Sequence, residues 1–196
     1  DETVPNGLNR IICMLRRLRP DNGALSMGKG EVNWGFDVIR SHLRLLADCE
    51  HRFGPAQALL QFGRDFGVGA PLPVGVESGR RKECYKNAAH VMLNRNDVFY
   101  AEGYGLNLKD APVPIEHAWV VDVQGNVIDP TWRGAADHAY FGIAFNKEFV
   151  SQALVSNGGD AGILSDWKIA RKLCASPEKF EESLAALPNS RAFQPR

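Results

Sequence analysis

Residues 115–132, IEHAWVVDVQGNVIDPTW, constrain the fold of this chain more than any other stretch. Alternation over the first half places Ile115, His117, Trp119, Val121 and Val123 on one face of a β-strand. Gly125-Asn126 supplies the residues of a tight reversal, and a two-residue turn there sends NVIDPTW back antiparallel. That pairing brings Asp129 within cross-strand reach of His117. The segment therefore specifies an antiparallel sheet carrying an imidazole and a carboxylate side by side.

Upstream, ECYKNAAHVML reads as a helix that starts at or near Cys84 and buries Ala88, Val91 and Met92. Unpaired backbone N–H groups and the macrodipole at such a start favour a thiolate. VFYAEGYGLNL then changes to β-rich composition, and KDAPVP is a loop leading into the hairpin. The order thiol, imidazole, carboxylate supplies a nucleophile, a base and an orienting group. In that scheme His117 takes the proton and Asp129 fixes the ring. Each residue also has an ordinary structural role: Cys84 as a half-apolar helix residue, His117 as a core histidine bonded to a carbonyl, and Asp129 before Pro130 as a turn former. Their joint occurrence in the right order favours the triad.

The flanks read as helical. Leu8, Ile11, Ile12, Leu15 and Leu18 recur at helical spacing until Pro20 and Asn22-Gly23; Val32, Phe36, Ile39, Leu43 and Leu46 make a second stripe. After Gly54-Pro55 a third helix is predicted through Leu59, Leu60 and Phe66, followed by an irregular Gly/Pro-rich connector from Gly67 to Gly79. AYFGIAF is a further strand, and helical segments are expected near residues 147–156, 163–175 and 177–186. Ser176 serves as the last N-cap, with Pro177 at N1. The whole is an α+β single domain over residues 1–196. Its parts are a helical flank and connector (1–76), the Cys-bearing helix with the sheet (77–145) and a second helical flank (146–196).

Composition narrows the function classes. Twenty-three basic residues balance twenty-three acidic ones, so no global field recruits nucleic acid or an anionic membrane. Arg16-Arg17 with Arg19 reads as a solvated face, as does Arg80-Arg81-Lys82, for which depressing the Cys84 pKa or attracting an acidic substrate are the alternatives. The cysteines Cys13, Cys49, Cys84 and Cys174 are widely spread with no CxxC pair, which argues against a disulfide scaffold or zinc module. Cys13, Cys49 and Cys174 are expected as small core residues. His90 and His138 with Cys84 or Asp137 show no short ligand spacing, so neither metal nor other cofactor is expected. No run approaches a membrane span and no signal-peptide pattern appears, which fits a reducing, cytoplasmic setting. The start at Asp1 rather than Met leaves room for a processed terminus and a removed targeting segment.

ECYKNA, EGYG and the hairpin with its HAW tripeptide and downstream GxxxDPT together resemble the transglutaminase-like branch of papain-fold cysteine enzymes. The likeness covers about residues 77–145. It implies a Cys-bearing helix packed on an antiparallel sheet and thiol chemistry on an acyl or amide carbonyl, with Cys84, His117 and Asp129 as the triad. The Cys84 N–H is then the natural first oxyanion donor. Papain-type enzymes carry a glutamine six residues before the nucleophile; Ser78 stands there, which leaves a backbone amide of residues 75–83 or Tyr104 as second-donor candidates. Tyr85, Tyr104, Trp119 and Trp132 are candidates for an aromatic-walled cleft. The expected activity is hydrolysis of a peptide, protein side chain or small amide, since the sequence displays no dedicated second-substrate site. Acyl transfer with the same triad, or a non-catalytic interaction module on the same scaffold, are the alternatives.

Overall fold

The structure, a computed structural model, describes residues 29–109, 113–159 and 162–187. Among these it is a mixed α/β arrangement of six α-helices and a five-stranded closed barrel. The helix expected over Leu8–Leu18, Cys13 and the basic cluster at Arg16, Arg17 and Arg19 lie outside the described residues. In chain order the elements are α1 (Lys29–Ala47), α2 (Pro55–Phe62), β1 (Arg64–Ala70), α3 (Cys84–Asn94), β2 (Val98–Asn107), β3 (Ile115–Asp122), β4 (Val127–Ile128), a 3-10 turn (Ala135–Asp137), β5 (His138–Phe145), α4 (Lys147–Ser156), α5 (Trp167–Leu173) and α6 (Pro177–Glu181).

The barrel order is β1-β4-β3-β2-β5, with β5 closing onto β1. All pairings are antiparallel except the short parallel contact of β1 with β4. Register and alternation sort the side chains into two sets. Gly103 faces His117 across β2 and β3, and Ala101 faces Trp119, on the barrel interior. Glu102 faces Ala118 and Tyr104 faces Glu116, on the side the helices cover. Interior packing matches large to small. A Cβ on Gly105 would lie 2.4 Å from the Trp132 ring, and one on Gly142 would lie 2.7 Å from Trp119. Phe66, Trp119, Val121, Val127 and Tyr140 fill the interior, while α1, α2 and α3 bury Phe36, Ile39, Leu43, Leu59, Ala88 and Met92 against the outer face.

Several sequence expectations are corrected. The third helix does not run through Phe66: it ends at Phe62, and RDFGVGA forms β1. Gly63 sits where a Cβ would be 2.2 Å from the Leu59 carbonyl and 2.8 Å from the Phe141 ring, and Gly67 takes φ +84° at a bulge. Phe66 thus obeys the strand period and points into the barrel, and the predicted irregular connector moves from residues 67–79 to 71–83. The return strand of the hairpin is only Val127–Ile128, and the reversal spans residues 123–126 instead of two. Asp122 organises that loop, accepting the N–H groups of Gln124 at 2.9 Å and Asn126 at 2.8 Å. Val123 falls beyond β3 and is exposed. The segment expected to be helical from Ile163 begins at Trp167, because the Ile163 and Leu164 N–H groups are given to the Glu102 carboxylate and Asp166 supplies the cap. The last helix stops at Glu181, after which Leu184 bridges to Phe145 and Ala185 N–H bonds to Ala144 O. Cys174 is buried as expected, whereas Cys49 is exposed just past α1. Among the described residues no helix is long and apolar enough to cross a membrane.

Candidate active site

Cys84 is the first residue of α3, so its N–H has no partner within the helix. Lys82, at φ +65°, turns the chain into that start, and the turn is closed by Glu83 N–H to Arg80 O at 3.4 Å. Asn87, one turn into the helix, donates to Arg80 O at 2.7 Å and to Thr131 Oγ1 at 2.9 Å. Gly79 N–H bonds to Pro130 O at 2.7 Å. These bonds fasten the thiol-bearing helix to the segment that follows Asp129. Nothing in the local sequence marks Asn87 for this role, since its partner lies far along the chain.

His117 is 2% exposed and Asp129 1%. The His117 ring hydrogen-bonds through Nε2 to Asp129 Oδ2 at 2.8 Å, leaving Nδ1 as the nitrogen open to the thiol, and Cys84 stands close enough to raise the pKa of this ring. Register extends Asp129 to a position opposite Trp119, so it reaches His117 along the cross-strand diagonal. The two expectations for Asp129 divide between its oxygens. Oδ1 accepts the N–H groups of Thr131 at 2.7 Å and Trp132 at 3.1 Å, which makes the turn after Pro130. Oδ2 accepts His117 and the Tyr140 hydroxyl at 2.7 Å. Tyr140, buried on β5, is a partner that sequence reading missed; its position inside AYFGIAF signals only a core aromatic.

The electrostatics follow from these partners. Burial alone would lower the His117 pKa, but the hydrogen bonds to Asp129 and Cys84 outweigh it and raise it above the ordinary histidine value. Burial would likewise raise Asp129; the His117 bond and charge, the Tyr140 hydroxyl and the Thr131 N–H hold it below the usual carboxylate range. The Tyr140 hydroxyl is pushed far up, by burial first and by the Asp129 charge second, so it remains a donor. Trp132 lies flat on His117, with centroids 3.7 Å apart and planes 7° off parallel.

The four aromatic candidates separate. Trp132 is half-buried, covers the imidazole and borders a cleft with Arg81, Arg133 and His138. Trp119 is 0% exposed, so it is corrected from cleft wall to barrel core: it backs His117 from inside. Tyr85 and Tyr104 border a second cleft on the helix-covered side, and the Tyr104 hydroxyl donates to Glu116 Oε1 at 3.3 Å. Tyr104 therefore faces away from His117, because its neighbour Gly103 is the residue across from the imidazole. Among the described residues no group of three or more His, Cys, Asp or Glu side chains could hold a metal ion.

Fold and site define a mixed α/β barrel carrying a thiol, an imidazole and a carboxylate in series at a helix start. Comparison with known proteins finds no matching family model and no similar curated protein or solved structure.

Proposed function

We propose that this protein is a cysteine-dependent hydrolase of the papain-like, transglutaminase-like kind, acting on an amide or acyl carbonyl. Cys84 attacks the carbonyl carbon, and His117 removes the thiol proton and returns one to the leaving group. Asp129 orients the ring and stabilises the imidazolium. The acyl-enzyme is then resolved by water. The observation that carries this reading is the buried His117–Asp129 bond of 2.8 Å, with Cys84 near enough to the same ring to raise its pKa. Three supports accompany it. The Cys84 N–H at a helix start is positioned to receive negative charge developing on a carbonyl oxygen. The Asp129 carboxylate is held in place by four donors, which fixes the imidazole it orients. Trp132 shields one ring face from water.

Selective alkylation tests the proposal. With iodoacetamide at about pH 7, Cys84 should react ahead of the exposed Cys49 and of Cys174, whose thiol burial pushes up to about 11. Cys84→Ala should abolish labelling at that position and cost under about 1 kcal/mol in a urea melt. Equal labelling of Cys49 and Cys84 would instead favour an interaction module built on the same scaffold.

A further inference from the structure

Beside the start of α3, the helix-covered side of β2 and β3 borders a cleft of about 340 Å³. Tyr85, the residue after Cys84, forms one wall, and Glu116, the residue before His117, stands at its edge. The charged groups lining the cleft have one sign: Glu50, Glu102 and Glu116 supply carboxylates, and no Lys or Arg lines it among the described residues. Each carboxylate is held by uncharged donors. Glu50 accepts the N–H groups of Ala56 and Gln57 at 2.9 Å each, Glu102 accepts the Tyr100 hydroxyl at 2.6 Å, and Glu116 accepts the Tyr104 hydroxyl at 3.3 Å. Those bonds fix the groups without supplying a counter-charge. Glu102 is buried and also accepts the N–H groups of Ile163 and Leu164, so Glu50 and the exposed Glu116 are the carboxylates left to face the cleft. His42 packs edge-on against Tyr104 at 5.2 Å, and burial lowers its pKa against the pull of Glu116.

The cleft with Trp132, of about 490 Å³, has the reverse lining, with Arg81, Arg133 and His138. Polarity therefore changes across the site. We propose that the acidic cleft is a subsite for an organic cation, an alkylammonium or alkylguanidinium group carried on the substrate beside the carbonyl that Cys84 attacks. Leu46 and Leu59 receive the alkyl stem and Glu50 and Glu116 receive the head. This assignment rests on the thiol-enzyme reading for its link to a reacting carbonyl, whereas cation binding itself does not.

Two measurements on the full chain separate the two ideas. In the first, n-butylammonium chloride is titrated while the backbone amides of Gly103, Leu164 and Ser165 are followed by NMR. Saturable shifts are expected, weakened at least about threefold in Glu116→Gln, whose exposed side chain can change without disturbing the core, and absent with n-butanol or sodium butyrate. Absence of saturable shifts, or equal response to n-butanol, overturns the subsite. In the second, N-acetyl-lysyl and N-acetyl-norleucyl chloromethyl ketones compete for Cys84; the sulfur forms a C–S bond as chloride leaves. The lysyl reagent should alkylate Cys84 about tenfold faster, and parity overturns the assignment of the cation to the substrate. If the cation binds saturably yet neither reagent prefers Cys84 to Cys49, the subsite stands and the hydrolase reading falls.

Discussion

Asp129 shows how one side chain reconciles two roles that the sequence leaves in competition. Its turn-forming oxygen and its histidine-orienting oxygen are different atoms, so the Asp-Pro turn and the imidazole contact support each other. Asp129→Ala removes both, and should slow alkylation of Cys84 by about tenfold, equivalent to roughly 1.4 kcal/mol. Single-cysteine peptide mapping checks this, and an unchanged rate would reduce Asp129 to its turn. Tyr140→Phe is the milder probe, because Oδ2 keeps its bond to His117. The expected cost is about 1 kcal/mol in a urea melt, typical of losing one hydrogen bond, with Cys84 still the fastest thiol.

At the level of elements, the barrel is held by close approaches that only glycine permits. A Cβ on Gly103 would lie 2.2 Å from the Phe141 carbonyl oxygen and 2.5 Å from Gly142 Cα, so β2 and β5 would have to separate beside His117. Gly103→Ala is expected to cost about 3 kcal/mol or more. Gly67→Ala meets no atom within 4 Å and is strained only through φ +84°, so it should cost about 1–2 kcal/mol; equal losses in paired denaturant melts would contradict the packing account. Glu102 joins β2 to the loop at residues 162–165. Glu102→Gln replaces one acceptor oxygen with a donor, leaving the Ile163 or Leu164 N–H unpaired, and should cost about 1–3 kcal/mol. Faster hydrogen exchange at those two amides is the readout.

For the whole molecule, the buried pair sets a pH window. Asp129 is lowered on folding, so its contribution is present above its unfolded value, about 3.9, and is lost as pH falls through the lower folded value. His117 is raised, so its contribution is complete below about 6.5 and is lost as pH rises through the higher folded value. The pair therefore contributes fully between about pH 4 and 6.5. Glu102 has the opposite sign to Asp129: it is raised, so it opposes folding as pH climbs through its unfolded value. Urea melts across pH should show Asp129→Asn flattening the acid limb, and Glu102→Gln removing the opposing term. An Asp129→Asn profile parallel to that of the parent would refute the linkage.

Local pattern alone determined the segment from Cys84 to Phe145 in outline. Helical spacing, two-residue alternation and the reversal signal act over a few neighbouring residues, so α3, β2, β3 and β5 and the approach of Asp129 to His117 were legible. So were α1, the exact extent of α4 and the Ser176 cap, which accepts Lys179 N–H at 3.3 Å. Tertiary structure decided what depends on distant partners. RDFGVGA satisfies neither period cleanly and becomes β1 because closure between β4 and β5 supplies its hydrogen bonds. Ile163 and Leu164 stay out of α5 because a carboxylate sixty residues away takes their N–H groups. Trp119 and Trp132 look alike in the sequence, yet the barrel buries one and lays the other on the imidazole. Tyr140 and Asn87 acquire their roles only when chain closure brings Asp129 and Thr131 beside them, and the opposite charges of the two clefts arise only from that same assembly.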